Sequence, residues 1–218
     1  MEAVLPIVVL IVVLIASVVV HEVAHAWQAR REGDDTADRL GRITLNPLPH
    51  LDPIGSVIVP LVLHFSGSGF LFGWARPVPV NPANYRSPVW GDIRVSMAGI
   101  VSNLGLAVLS TFALAIAFKA QSVLGPLGGT TAVAAQAAYY GVLINLVLAF
   151  FNLVPIPPLD GSHVLFHLRP KPLAMRYREA GRYGLLILMG LFYFFPGVFT
   201  YLLWPVTFFA GLATEFAR

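Results

Sequence analysis

Two histidines and a glutamate, in the run His21-Glu22-Val23-Ala24-His25, give this chain its first chemical handle. Helical residues four apart lie one turn above each other, so both imidazoles can reach one zinc ion. The glutamate beside the first histidine can then act on a water for nucleophilic attack. A bare H-E-x-x-H also arises in soluble chains that hold no metal, so its setting decides its weight. Here it follows Val4 to Val20, a stretch without a single charge. That is the composition of a membrane span rather than of a buried core. A zinc-hydrolase pattern on a membrane helix implies peptide-bond hydrolysis inside or at the edge of a bilayer.

A catalytic zinc site needs three protein ligands and one open position. His21 and His25 supply two, and Asp160 is the best candidate for the third. It stands in Pro155-Ile156-Pro157-Pro158-Leu159-Asp160-Gly161, where prolines interrupt a preceding helix and let a carboxylate turn toward the histidines. Ionisable groups at membrane depth are costly and usually functional. The competing reading of Asp160 is a cap or turn residue before Gly161. Other histidines are rival ligands. His163 follows Asp160 by three residues and could replace or support it. His50 and His64 could line a cavity, and His167 precedes a basic stretch. Two amides stand out as well. Asn152 lies where a helix breaks and could orient a substrate or an oxyanion. Asn103 lies within a helix, where interhelical hydrogen bonding is the more natural role.

The elements that must position these groups read as an all-α polytopic membrane protein. Composition agrees: 57% of the 218 residues are hydrophobic and 11% charged, and the mean hydropathy is +0.75, whereas a soluble domain carries about 25% charge. The apolar runs predict helices near residues 4–30, 93–118 and 132–153, with a C-terminal stretch, 183–213, split by Pro196-Gly197. That last stretch fits one kinked helix or a hairpin. Residues 43–84 are rich in proline and glycine and interrupt their apolar patches. Such backbone survives at membrane depth only when buried in protein or lining a wet cavity. It predicts a re-entrant segment around Pro53 to Phe65 and short strands or a hairpin near Phe70 to Val80. Arg169 to Arg182 reads as a basic loop. The whole, residues 1–218, is expected to be a single domain.

The absence of cysteine excludes disulfides, thiolate metal sites and cysteine nucleophiles. Basic clusters lie between apolar runs, at Arg30-Arg31, Arg39 to Arg42, Arg76 to Arg94 and Arg169 to Arg182. They read as cytoplasmic loops, not as a nucleic-acid surface, for which no soluble domain is expected. A cleaved signal peptide is not expected either, since cleavage would strand the histidines.

At this point the chain resembles the site-2 protease family of intramembrane zinc metalloproteases. The resemblance runs through His21-Glu22-Val23-Ala24-His25, Gly41-Arg42-Ile43-Thr44-Leu45-Asn46-Pro47, His50-Leu51-Asp52-Pro53-Ile54-Gly55, Gly73 to Val80, Phe151-Asn152 and Pro157 to Gly161. It implies a three-helix catalytic core with one Zn2+ on His21, His25 and Asp160, and Glu22 as general base and acid. It also implies that Asn152 helps place the substrate or stabilise the oxyanion, and that an edge strand near Trp74 to Val80 pairs with an unwound transmembrane substrate. The expected setting is the cytoplasmic membrane of a bacterium or archaeon, with the site toward the cytoplasm. The partners are a membrane-protein or peptide substrate, the lipid bilayer and, left open, a second copy of the chain. Family helices often carry G-P-x-x-N, whereas Gly99 here is followed by Ile100. Family members often carry a soluble domain too, and this chain resembles the minimal subgroup without one. The rivals from other classes are an ion or small-molecule transporter, against which the lack of an internal repeat argues, and a non-proteolytic scaffold.

Overall fold

The computed structural model describes residues 4–59, 62, 75–124 and 128–218. Its helices are α1 Val4–Glu32, α2 Thr36–Arg39, α3 Pro88–Leu124, α4 Gly128–Asn152, α5 Gly161–Leu168, α6 Lys171–Ala180, α7 Gly184–Phe194 and α8 Pro196–Ala217. Three are long and apolar enough to cross a membrane: Val4–Glu32, Pro88–Val123 and Thr131–Asn152.

Helix α1 is 29 residues long, about 43 Å at 1.5 Å per residue. Its charge-free part spans roughly 25 Å, so His21 arrives near the far edge of a hydrocarbon layer about 30 Å thick. Arg30 and Arg31 occupy its last turn, where cations meet the negative end of the helix dipole. Helices α1, α3 and α4 pack on one another, and α8 packs on α3 and α4. Small residues sit at these contacts: Ala26, Ala29, Ala107 and Ala149 are buried. A Cβ on Gly141 would collide with the Ser110 hydroxyl. Without a hydrophobic force between helices in lipid, close approach and interhelical hydrogen bonds hold such bundles together. Ala107, Val142, Leu146, Val206 and Ala210 form the largest apolar cluster, joining α3, α4 and α8.

The C-terminal stretch is two helices. Phe195 leaves helical geometry (φ −132°, ψ 65°) and Pro196 starts α8, as the sequence places the break. The expected loop Arg169 to Arg182 is a correction: most of it is α6, whose Tyr177 hydroxyl donates to the Pro155 carbonyl at 2.9 Å. Its charges masked a helical pattern. Between α1 and α3, Pro53–Ile58 forms one wide helical turn. Residues 60, 61 and 63–74, with His64, Trp74 and most of the expected re-entrant and hairpin region, lie outside the described residues. Ala75 to Val80 carries no strand pairing among the described residues.

That segment is nevertheless tied down. Arg76 N–H donates to the His50 carbonyl at 2.8 Å, and Arg42 Nη2 donates to the Arg76 carbonyl at 2.8 Å. Asp34, fully buried, accepts from Asn81 N–H at 2.6 Å, from Asn84 Nδ2 at 2.8 Å and from the Thr36 hydroxyl. Arg94 grips Glu32 with two hydrogen bonds of 2.7 and 2.8 Å, fixing the end of α1 to α3.

Burial works to raise the Asp34 pKa, but its donors outweigh it and hold the carboxyl below the usual range. A lowered folded pKa gives stability that is present above the unfolded value, near 4, and lost as pH falls through the folded value. Asp34→Asn is therefore expected to cost about 1–3 kcal/mol at neutral pH. The deficit should shrink below about pH 4, as read by thermal unfolding in detergent across pH 3 to 7.

Candidate metal centre

Helix geometry alone brings the first two groups together. His21 and His25 face the same side of α1, and their Nε2 atoms stand 3.0 Å apart. The third arrives from α5. After α4 ends at Asn152, residues 153–160 fold into tight turns, with Ile156 N–H on the Val154 carbonyl and Leu159 N–H on Ile156. Pro155, Pro157 and Pro158 lack N–H donors and cannot continue the helix. Gly161 must be glycine here, because a Cβ would run into the Leu153 carbonyl. Asp160, at the entry to α5, then points Oδ2 at both histidines, 3.2 Å from His21 Nε2 and 3.3 Å from His25 Nε2.

The protonation pattern follows from the outer partners. His25 Nδ1 is 2.7 Å from the Val95 carbonyl, which can only accept, so Nδ1 carries the proton. His21 Nδ1 meets Asn103 Oδ1 at 2.5 Å. Asn103 Nδ2 donates to Asn145 Oδ1 at 2.7 Å and lies 3.4 Å from the Ser17 carbonyl, which fixes the amide with its oxygen toward His21. Asn145 in turn donates to the Ser17 hydroxyl at 3.0 Å and the Gly141 carbonyl at 2.8 Å. With Nδ1 as the donor on both rings, the neutral form of each has its lone pair on the inward Nε2. The two Nε2 atoms face a carboxylate oxygen that is buried and has no hydrogen-bond donor.

Three lone-pair atoms converge, and they could hold a metal ion. Their separations of 3.0, 3.2 and 3.3 Å suit three ligands of a tetrahedral zinc, whose bonds of roughly 2.0–2.1 Å subtend edges of about 3.3 Å. The donor set, two imidazoles and one carboxylate with both Nδ1–H groups anchored, is that of a catalytic zinc site with its outer shell. Gly99 makes the room: a Cβ there would lie 2.5 Å from both His21 Cε1 and His25 Nε2.

Glu22 lies beside this group, and its Oε2 accepts from Val78 N–H at 2.8 Å. Asn152 is less direct, since its Nδ2 donates to the Leu148 carbonyl of its own helix at 2.9 Å. The rival histidines have other partners. His50 is buried and contacts the Thr44 carbonyl at 2.9 Å. His163 and His167 both turn to Asp92, at 3.2 and 2.7 Å. Sequence reasoning missed Asp92, because α3 starts at Pro88 rather than Ile93 and the aspartate reads as a loop residue. Asn145 was missed too, as one amide inside a long apolar run. Asn103, expected to be structural, makes interhelical bonds to Ser17 and Asn145 and also holds the His21 ring by its hydrogen bond.

Residues 9–192 match the family model described as peptidase family M50. YwhC of Bacillus subtilis, provisionally named a zinc metalloprotease, is 39% identical over 199 residues, covering 90% of this chain and 84% of YwhC. Rip2 of Mycolicibacterium smegmatis, named in the same way, is 34% identical over 183 residues, 80% of this chain and 62% of Rip2. Rip2 of Mycobacterium tuberculosis strain H37Rv is 30% identical over 179 residues, 82% and 64% respectively. The chain thus spans a little under two thirds of the Rip2 proteins. No solved structure matches. The chain belongs to peptidase family M50, and the resemblance read from its motifs holds.

Losing an anchor of a ligating histidine typically weakens metal binding about 10–100-fold, and that is the expected result for Asn103→Ala. Gly99→Val should abolish binding. Gly105→Ala, where a Cβ meets nothing within 4 Å, should leave it unchanged. Equilibrium dialysis of the detergent-purified chain against Zn2+ checks all three.

Proposed function

We propose that this chain is a zinc-dependent endopeptidase cleaving peptide bonds in or near transmembrane segments, with His21, His25 and Asp160 as its metal ligands. The observation that carries the reading is the convergence of three atoms able to ligate a metal beside Glu22, at the end of a helix long and apolar enough to span a membrane. When bound, zinc supplies a Lewis acid that activates water and polarises the scissile carbonyl.

The residues of the chain do the rest. Glu22 has one carboxylate oxygen on Val78 N–H, which aims the other to take the proton of the attacking water and return it to the leaving amine. A substrate helix resists attack because its carbonyls are hydrogen-bonded, so it must unwind locally. Ala75 to Val80 runs beside Glu22 without strand pairing among the described residues, which supports strand addition as the source of replacement hydrogen bonds. An apolar cleft of about 340 Å³, lined by Met97, Leu153, Pro155, Gly161, Val164 and Leu165, opens next to Asp160 and suits an apolar substrate side chain. Asn152 would join in orienting the substrate once its amide leaves the Leu148 carbonyl. The basic end of α1 supports cleavage near the cytoplasmic leaflet.

Glu22→Gln is expected to keep one zinc per chain and lose cleavage of a single-span reporter by about 10²–10⁴-fold or more. Chelation of the wild type should abolish cleavage, and added Zn2+ should restore it. Cleavage that survives in Glu22→Gln would overturn the role of that residue, and a wild type that binds no zinc would overturn the metal reading.

A further inference from the structure

Outside the His21–His25–Asp160 group, one other cluster of histidine and carboxylate forms in the described bundle, around a buried aspartate whose partner His163 is half exposed. Asp92, on α3, is 8% exposed. Its Oδ2 lies 2.7 Å from His167 Nε2 and 3.2 Å from His163 Nδ1, with Oδ1 3.3 Å from the latter. His163 and His167 are one turn apart on α5, so both ring N–H groups donate to the same carboxylate from one helix face. A buried carboxylate is costly unless paired, and here it is paired twice, to two histidines of one neighbouring helix.

We propose that Asp92 is a positioning residue for Asp160, gripping α5 at two points and so setting where the third ligand carboxylate stands. The inference rests on the metal-binding reading above and extends it to a residue outside the ligand set. Asp160 stands just before the eight-residue helix α5. The connector behind it is a series of turns, with no helix to transmit the position of α4. What fixes Asp160 is therefore the seat of α5. The carbonyl of Asp160 accepts His163 N–H at 3.0 Å, so the residue that Asp92 holds is bonded directly to the backbone of the ligand.

The placement of Asp92 along α3 gives the grip its meaning. Asp92, Val95, Gly99 and Asn103 recur at i, i+3, i+7 and i+11, one stripe of a single helix. Val95 anchors His25, Asn103 anchors His21, and Gly99 admits both rings. With Asp92 added, all three ligands refer to the same rigid helix, although they come from two others. Metal sites tolerate displacements of only about 0.5 Å, and two charge-assisted hydrogen bonds one turn apart fix a helix against both sliding and rotation.

The test uses the full chain in detergent, with Zn2+ affinity read by chelator competition and coordination geometry by the absorption of bound Co2+. Asp92→Ala is expected to weaken Zn2+ binding about 10–100-fold and to change the Co2+ spectrum. His163→Ala and His167→Ala should each give part of the loss, and neither should add to it once Asp92 is gone. Asp92→Asn, which keeps one acceptor, should fall between. Asp92→Ala with wild-type affinity would overturn the inference, as would an unchanged Co2+ spectrum with only a lower unfolding temperature. If Asp92→Ala does not fold, Asp92→Asn and His163→Gln decide the matter by the same readouts. The wild-type arm tests the metal reading separately: a wild type that binds no zinc removes that reading and the inference with it, whereas normal wild-type binding with unaffected variants removes the inference alone.

Discussion

Three electron-rich atoms, His21 Nε2, His25 Nε2 and Asp160 Oδ2, stand within 3.3 Å of one another. Such an arrangement calls for a positive charge, a proton or a metal ion, among the three, and much of the fold bears on holding them there. Both Nδ1–H groups are drawn outward to Val95 and Asn103, which turns the Nε2 atoms inward. The connector between α4 and α5 is stripped of helical continuity by its prolines, which frees a carboxylate to approach from a third direction. Gly99 and Gly161 remove the two β-carbons that would block these approaches.

The membrane sharpens every one of these demands. In lipid, a polar side chain that loses its partner finds no water to replace it. Ser17, Asn103 and Asn145 are all buried, and each is satisfied by the others or by backbone, so the network joins α1, α3 and α4 at the depth of His21. The same bonds that hold the bundle together thus orient the His21 ring. Packing and chemistry are not separable here, since removing Asn103 would both open an interhelical contact and release a histidine ring.

How much of this was legible in the sequence follows from what each signal depends on. The H-E-x-x-H spacing is a local helical property, so His21, Glu22 and His25 could be read without a fold. Asp160 was legible because a carboxylate after a proline run in an apolar chain has few other purposes. The break at Pro196 followed from proline's missing donor. Asp92 was not legible, because whether a residue at a helix margin is buried depends on which helix docks over it, and α5 is a short helix between the proline run and the basic stretch, with no apolar span to announce it. Asn145 carries no local mark, since its partners are 42 and 128 residues away along the chain. The edge strand near Trp74 to Val80 was implied by the resemblance; part of that region lies outside the described residues, and within it the Arg76 N–H is on a loop carbonyl, the Arg76 carbonyl on Arg42 and the Val78 N–H on Glu22.

That last segment shows how sequence, backbone and chemistry meet. Pro77 and Pro79 have no N–H, so Val78 offers the one donor between them. Arg76 N–H is on the His50 carbonyl and Asn81 N–H on Asp34, which holds the segment at both ends. Val78 N–H is on Glu22. An extended residue directs its N–H and carbonyl to the same edge, so a strand pairing with Val78 on that edge would bring its own carbonyl to this donor. Strand addition there and the Glu22 contact draw on a single N–H. Under the proposed function, the catalytic carboxylate and an incoming backbone both call on the Val78 N–H, and the binding of one is coupled to the freedom of the other.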